Sequence, residues 1–262
     1  MPETDLALLI RVARSAGEIA LGYFQDNPHV WDKGGGAGPV TEADLAVNDH
    51  LARTLGQARP DYGWLSEETE DDTARLGTAR QFIIDPIDGT RAFIDGSRSW
   101  AHALAVVENN RPIAAVVYLP ARDMLFAADD KGAATLNGAP IAVSDRQDMS
   151  GATVLSNKAS FADTHWLAGR PPQGLERDFR SSLAYRLCLV AQGRFDAMMT
   201  LRPTWEWDVA AGALIIERAG GTVTDGNGTP LRFNNPHPQV AGVVAGGGIA
   251  PQIRKALKPN GP

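Results

Sequence analysis

The chain has a single cysteine, no long apolar run and no excess of positive charge over its 262 residues. Each shortage removes a class of protein. Cys188, in "LCLVA", permits no intramolecular disulfide and no cysteine-rich zinc site. Set in an apolar run, it reads as inert core. No stretch approaches the roughly 18 uninterrupted apolar residues of a membrane span. The N-terminus "MPETDLALLI" has no basic region or cleavage site of the secretory kind. A cytoplasmic protein without a membrane partner is the default expectation. The net charge of −6 argues against a nucleic-acid polymer as partner, since such surfaces carry a basic field. A small anionic ligand stays open, because a local cation overrides the global sign. The five histidines (29, 50, 102, 165, 237) show no ligand spacing and read as structural or surface residues.

What is present suffices for a large core, in one big domain or two packed lobes: 44% of residues are hydrophobic. Leu6, Leu9, Ile10, Ala13, Ala16, Ile19, Ala20, Tyr23 and Phe24 recur at helical spacing over 4–24. "HVWDKGGGAGPV" (29–40) reads as a glycine-rich loop with no regular element. "PVTEADLAVNDHLARTL" predicts a helix with Thr41 as N-cap and Asp44 as its capping-box partner. "YGWLSEETEDD" predicts a short strand entering an acidic turn. From 100 to 143 the period changes to two, with short turns, which predicts an antiparallel meander ending in "PIAV". Beyond it come the strand "ATVLS", the helix "SLAYRLCLVAQG", the strand "RFDAMM" and the helix "WDVAAGALIIERAGG" stopped by Gly220–Gly221. "TVTD" and "VAGVVAG" predict closing strands before a terminal helix. Such blocks favour a layered α+β fold over a doubly wound parallel sheet.

Acidic residues recur at element boundaries: Glu67–Glu68, Asp85 and Asp88 in "DPIDGT", and Asp208 in "WEWDVAAG". Oxygen-only donors without a Cys or His pair suit a hard cation such as Mg²⁺. Asp85 and Asp88 flank a proline-fixed turn that can aim both carboxylates and the Ile87 carbonyl to one side. Gly89 and Thr90 then offer amides at the start of a short helix, "TRAFIDG", a setting that favours a phosphate. Singly, each cluster has a plainer reading: a turn, a solvated acidic loop, or a helix N-cap.

Together the segments resemble a known family. "SEE" (66–68), "DPIDGT" (85–90) and "WDVAAGALIIERAGG" (207–221) resemble, in order and separation, the signatures of the inositol monophosphatase superfamily. "PVTEAD" (39–44) and the glycine-rich segment with Lys33 fit the same scheme, so the resemblance spans nearly the whole chain. It implies a layered αβαβα sandwich and one phosphatase domain over 1–262, with lobes of about 1–145 and 146–262. It also implies a Mg²⁺-dependent, often lithium-sensitive phosphomonoesterase with two or three ions per site, acting as a homodimer. Carried over residue by residue, Glu67 would hold the first metal and orient the attacking water. Asp85 would bridge two metals, the Ile87 carbonyl would bind the first, and Asp88 with Asp208 would hold the second. Thr90 paired with Asp44 resembles the dyad that takes a proton from the water. The Gly89 and Thr90 amides would hold the phosphate; Glu68 is a weaker candidate ligand.

Substrate choice follows from a departure. Inositol monophosphatases usually carry an acidic residue shortly before the W-D motif, where this chain has Thr200, Leu201 and Arg202. The "RPT…WD" pattern and "RSSLAYRLCLVAQG" look closer to the bacterial 3′(2′),5′-bisphosphate nucleotidase branch. There Ser181 and Ser182 would lie near the nucleotide, and Arg202 would neutralise a second phosphate. The implied reaction is hydrolysis of adenosine 3′,5′-bisphosphate to AMP and phosphate. Inositol-1-phosphate and histidinol phosphate are the alternatives. A non-catalytic metal- or nucleotide-binding relative is a distant one, because all the acidic positions and the threonine are present.

Overall fold

Thr4 starts the first helix by accepting the Ala7 N–H on its hydroxyl at 3.2 Å. The helix, α1 (Asp5–Tyr23), turns Leu8, Leu9, Val12, Ala13, Ala16 and Ala20 inward. This is a computed structural model, and it describes residues 3–26, 28–34 and 38–259. A ribbon follows, β1 (Val30–Asp32) against β2 (Pro39–Thr41), and then α2 (Glu42–Ala58). The glycine-rich segment is thus flanked by regular structure that its composition hides. Trp31 opposite Val40 is an aromatic–β-branched pair of the kind that stabilises antiparallel strands. Of the expected loop at 34–38, positions 35–37 lie outside the described residues.

A seven-stranded sheet is the first β layer. Its strands are β3 (Gly63–Ser66), β4 (Arg80–Asp88), β5 (Ala101–Glu108), β6 (Arg111–Leu119), β7 (Met124–Asp129), β8 (Thr135–Leu136) and β9 (Ala139–Pro140), in that order. β3 and β4 run parallel, and the remaining neighbours are antiparallel. Alternation on β5 and β6 serves two cores. Ala103, Ala105, Val107, Ala115 and Val117 face one side; Leu104, Val106, Ala114 and Val116 face α1 and α2 on the other. The meander ends earlier than expected: β9 holds Ala139–Pro140, directly after the Asn137–Gly138 turn, and not "PIAV".

The third layer is α4 (Leu183–Ala191) with α5 (Glu206–Arg218). These helices approach closely: a Cβ on Gly212 would stand 2.5 Å from Leu187 Cδ1. The fourth layer is a mixed sheet of β10 (Thr153–Ser156), β11 (Glu176–Asp178), β12 (Ala197–Thr200), β14 (Thr222–Thr224) and β16 (Val243–Gly246), ordered β11-β10-β12-β16-β14. β13 (Thr204–Trp205) and β15 (Gln239–Val240) form a separate ribbon, so "VAGVVAG" divides between two sheets. β11 is exposed along its length, which leaves no apolar alternation by which to predict it. α6 (Ile249–Ala256) is the fifth layer, packing Ile249 and Ile253 with Trp166 against Val154 and Val244. The order α, β, α, β, α is the layered α+β sandwich. Among the described residues no helix is long and apolar enough to cross a membrane.

Candidate active site

The "DPIDGT" segment is not a free turn; it is the end of β4, carrying a bulge. Asp85 sits opposite Ala103 and Asp88 opposite Ala101, so two residues on β4 face one on β5. In a regular strand, residues three apart point to opposite faces. The extra residue restores both aspartates to the face shared by Ala101 and Ala103, toward α4 and α5. His102, between those alanines, is buried and donates from Nδ1 to the Pro86 carbonyl, which steadies the bulge. Burial lowers its pKa to about 4, so it is a neutral structural histidine. Gly89 caps the short helix α3 (Thr90–Ile94) at φ 99°, a conformation that favours glycine.

Asp208 enters from the first turn of α5, and its carboxylate meets those of Asp85 and Asp88 with one oxygen from each within 4.8 Å of the others. Asp88 Oδ2 accepts from Ser182 Oγ and from the Ala184 N–H, both at 2.6 Å. Asp85 is 1% exposed, and neither of its oxygens has a partner among the described residues. An orphaned buried carboxylate is costly, and two more beside it add repulsion. Burial first, then the charges of Glu67, Asp88 and Asp208, push Asp85 well above the usual carboxylate range. Burial and the Asp88 charge do the same to Asp208, and burial lifts Asp88 to about 6 against the Ser182 and Ala184 hydrogen bonds. Three convergent oxygen donors, one wholly unsatisfied, fit a hard divalent cation.

The Thr41–Asp44 capping box forms as expected, and it has a second face. Asp44 Oδ2 accepts from the Thr41 amide at 2.8 Å and its hydroxyl at 2.6 Å, which leaves Oδ1 3.3 Å from Thr90 Oγ1. The same Thr90 hydroxyl lies 3.2 Å from the Ile87 carbonyl. Burial raises Asp44 to about 6.

Glu67 stands beside this cluster without joining it. Lys33 Nζ lies 2.9 Å from Glu67 Oε1 and 2.6 Å from Glu68 Oε1. Burial opposes the Lys33 charge, but the two glutamates outweigh it and hold the ammonium above its ordinary range. Burial lifts Glu68 to about 7 despite that ammonium.

The expected substrate residues separate. Ser182 is fully buried: its hydroxyl accepts from the Tyr185 N–H at 2.9 Å as the N-cap of α4 and donates to Asp88. Through these two bonds the Ser182 hydroxyl caps α4 and positions Asp88. Ser181, one residue earlier, is exposed. Arg202 is exposed, and its charge acts on Asp208. Sequence reasoning passed over Arg186, a buried cation whose charge acts on Asp88 and Asp208. Its Nε donates to the Arg180 carbonyl at 2.5 Å, and its guanidinium lies over the Phe179 ring at 4.4 Å. A lone arginine inside the apolar helix "LAYRLCLVA" was the available signal. Glu206, the nearest acid to Asp208 in sequence, turns away and accepts the Asn234 and Asn235 amides.

Known proteins resemble this chain over most of its length. The profile of the inositol monophosphatase family matches residues 1–258. The chain is 34% identical over 239 residues to inositol monophosphatase 3 of Solanum lycopersicum, covering 87% of this chain and 88% of that protein. It is 32% identical over 235 residues to a histidinol-phosphatase of Chlorobaculum parvum, with 86% of each covered. Among solved structures, the extragenic suppressor protein suhB of Bartonella henselae superposes with a TM-score of 0.82 at 27% identity, covering 96% of this chain and 97% of that one. CysQ of Bacteroides thetaiotaomicron superposes at 0.76 with 25% identity, covering 94% and 98%.

Proposed function

Since the chain belongs to the inositol monophosphatase family, whose members are metal-dependent phosphomonoesterases, we propose that it hydrolyses adenosine 3′,5′-bisphosphate to AMP and phosphate with Mg²⁺. The observation that carries the metal-dependent chemistry is Asp85, buried, without a partner among the described residues and in reach of Asp88 and Asp208. In this reading Asp85, Asp88, Asp208, Glu67 and the Ile87 carbonyl hold two or three ions. Bound Mg²⁺ supplies a more acidic water and neutralises phosphate charge. Thr90 Oγ1 relays the proton of the attacking water to Asp44 Oδ1, the free oxygen of the capping box. The Gly89 and Thr90 amides, at the start of α3, hold phosphate oxygens.

Arg202, an exposed cation whose charge acts on Asp208, supports a second phosphate on the substrate. The whole chain would act as one phosphatase domain, its lobes meeting at the acid cluster. Cytoplasmic location, a homodimer and lithium inhibition complete the proposal. Inositol-1-phosphate or histidinol phosphate is the second reading, favoured by the names of the two relatives above.

Phosphate release measured in parallel on the three esters with Mg²⁺ tests both levels. At least a tenfold preference for the bisphosphate, lost in Arg202→Ala, is expected. A tenfold preference for inositol phosphate would overturn the substrate, and no Mg²⁺-dependent release from any ester would overturn the phosphatase.

A further inference from the structure

A recess of about 300 Å³ opens beside the acid cluster, between the acidic turn after β3 and the start of α5. Glu67, Thr69 and Asp71 form one wall; Trp205, Trp207 and His237 form the other. Two of its residues adjoin the cluster: Glu67, whose charge acts on Asp85 and Asp208, and Trp207, which immediately precedes Asp208.

The Trp205 and Trp207 rings stack at 4.7 Å with 9° between their planes, and the His237 ring lies 5.5 Å from Trp205. Trp205 is nevertheless 38% exposed, an unusual position for the largest apolar side chain. Its setting is rigid. Glu206, between the two tryptophans, is wholly buried and clamps the loop bearing His237 through the Asn234 and Asn235 amides at 2.6 and 2.9 Å. The Glu206 amide in turn donates to the Pro238 carbonyl at 3.0 Å. The opposite wall is tied to the same loop. Asp71 grips Arg75 with both oxygens, at 2.6 and 2.8 Å, while Arg75 donates to Asn234 Oδ1 at 2.5 Å and the Asn235 carbonyl at 2.9 Å. A preformed aromatic face opposite carboxylate acceptors suits a flat ring with N–H edges, because little further ordering is needed on binding.

We propose that this recess binds the planar nitrogen heterocycle of the substrate's leaving group, stacked on Trp205 with its polar edge toward Asp71 and Glu67. The proposal rests on the phosphatase reading and narrows it to aromatic esters, with a purine and an imidazole as the two sources of that chemistry.

The test compares wild type, Trp205→Ala and Trp205→Phe with Mg²⁺ on adenosine 3′,5′-bisphosphate, histidinol phosphate, inositol-1-phosphate and glycerol 2-phosphate. Base–aromatic stacking of about 1–3 kcal/mol corresponds to roughly 5- to 150-fold in affinity. Trp205→Ala should raise KM by that factor for one or both aromatic esters, with KM for glycerol 2-phosphate unchanged and Trp205→Phe close to wild type. Whichever aromatic ester responds more identifies the source. Equal effects on all esters, or none, would overturn the proposal. Glycerol 2-phosphate reports the phosphatase reading separately. Should no ester be hydrolysed, titration of free adenosine and free imidazole, followed by the Trp205 indole N–H signal, still decides the recess: movement with either supports it, and no movement with both overturns it.

Discussion

Ser182 Oγ lies 2.6 Å from Asp88 Oδ2 across 94 residues of sequence, and the Ala184 N–H reaches the same oxygen. The start of α4 is thereby fastened to the bulged end of β4, so the helix N-terminus that caps itself with Ser182 also aims a cluster carboxylate. Partners of this kind typically change metal affinity by about 10–100-fold. Ser182→Ala should therefore raise the half-saturating Mg²⁺ concentration about tenfold or more. Isothermal titration with Mg²⁺ measures it, and Ser181→Ala should leave that value in place.

The Thr90–Asp44 contact predicts a different signature. Thr90→Val removes the hydroxyl at nearly constant volume, so kcat should fall by about 10²–10⁴-fold while KM and the Mg²⁺ requirement hold. Steady-state assays at varied substrate and Mg²⁺ separate these outcomes. An unchanged kcat would remove the dyad from the reaction.

Acidity supplies a stability test. Burial holds Asp44 and Asp88 near 6 in the folded chain, above the ordinary carboxylate value of 3.8. The folded state therefore binds protons more tightly than the unfolded one. The stability these groups contribute is full below about pH 4 and falls as pH rises through 6. Metal-free protein should thus lose stability from these groups between pH 4 and 6, and Mg²⁺ should restore it. At 100 times its Kd a ligand adds about 2.7 kcal/mol, roughly 5–10 °C in Tm for a chain of this size. Thermal scans should show a larger Mg²⁺-induced rise at pH 7.5 than at pH 5. Asp85→Asn should raise the metal-free Tm at pH 7.5, because it removes a buried carboxylate whose ionisation is opposed by burial and by its neighbours, and should shrink the Mg²⁺ effect.

Lys33 predicts a gain of affinity. Its ammonium already neutralises Glu67 and Glu68, so it competes with any cation for Glu67. Lys33→Met should lower the half-saturating Mg²⁺ concentration several-fold and destabilise the metal-free protein through repulsion between the freed glutamates. A weaker Mg²⁺ response would show that Lys33 assists the cation.

The helices at both ends of the chain, the meander after Ala101 and the Thr41–Asp44 cap were legible because each depends on neighbours within a few residues. Period two on β5 and β6 required only alternation, and the α1 stripe only helical spacing. β11 left no trace, since an exposed edge strand needs no apolar pattern, and the β1–β2 ribbon was masked by the glycines between its strands. In the site, "DPIDGT" was legible as chemistry and misread as geometry: whether Asp85 and Asp88 share a face depends on their register against Ala101 and Ala103.

Composition and local spacing on their own determined the excluded classes, the helix and strand blocks, and the presence of oxygen donors in a recognisable order. Tertiary structure alone decided that Ser182 serves Asp88, that Glu67 pairs with Lys33, that Arg186 is a buried cation near the acids, and that two tryptophans wall a recess beside Glu67. The reason is range. Backbone periodicity is set by steric and hydrogen-bonding rules between near neighbours, whereas the meeting of side chains far apart in sequence follows from strand register and helix placement, which the whole core determines together.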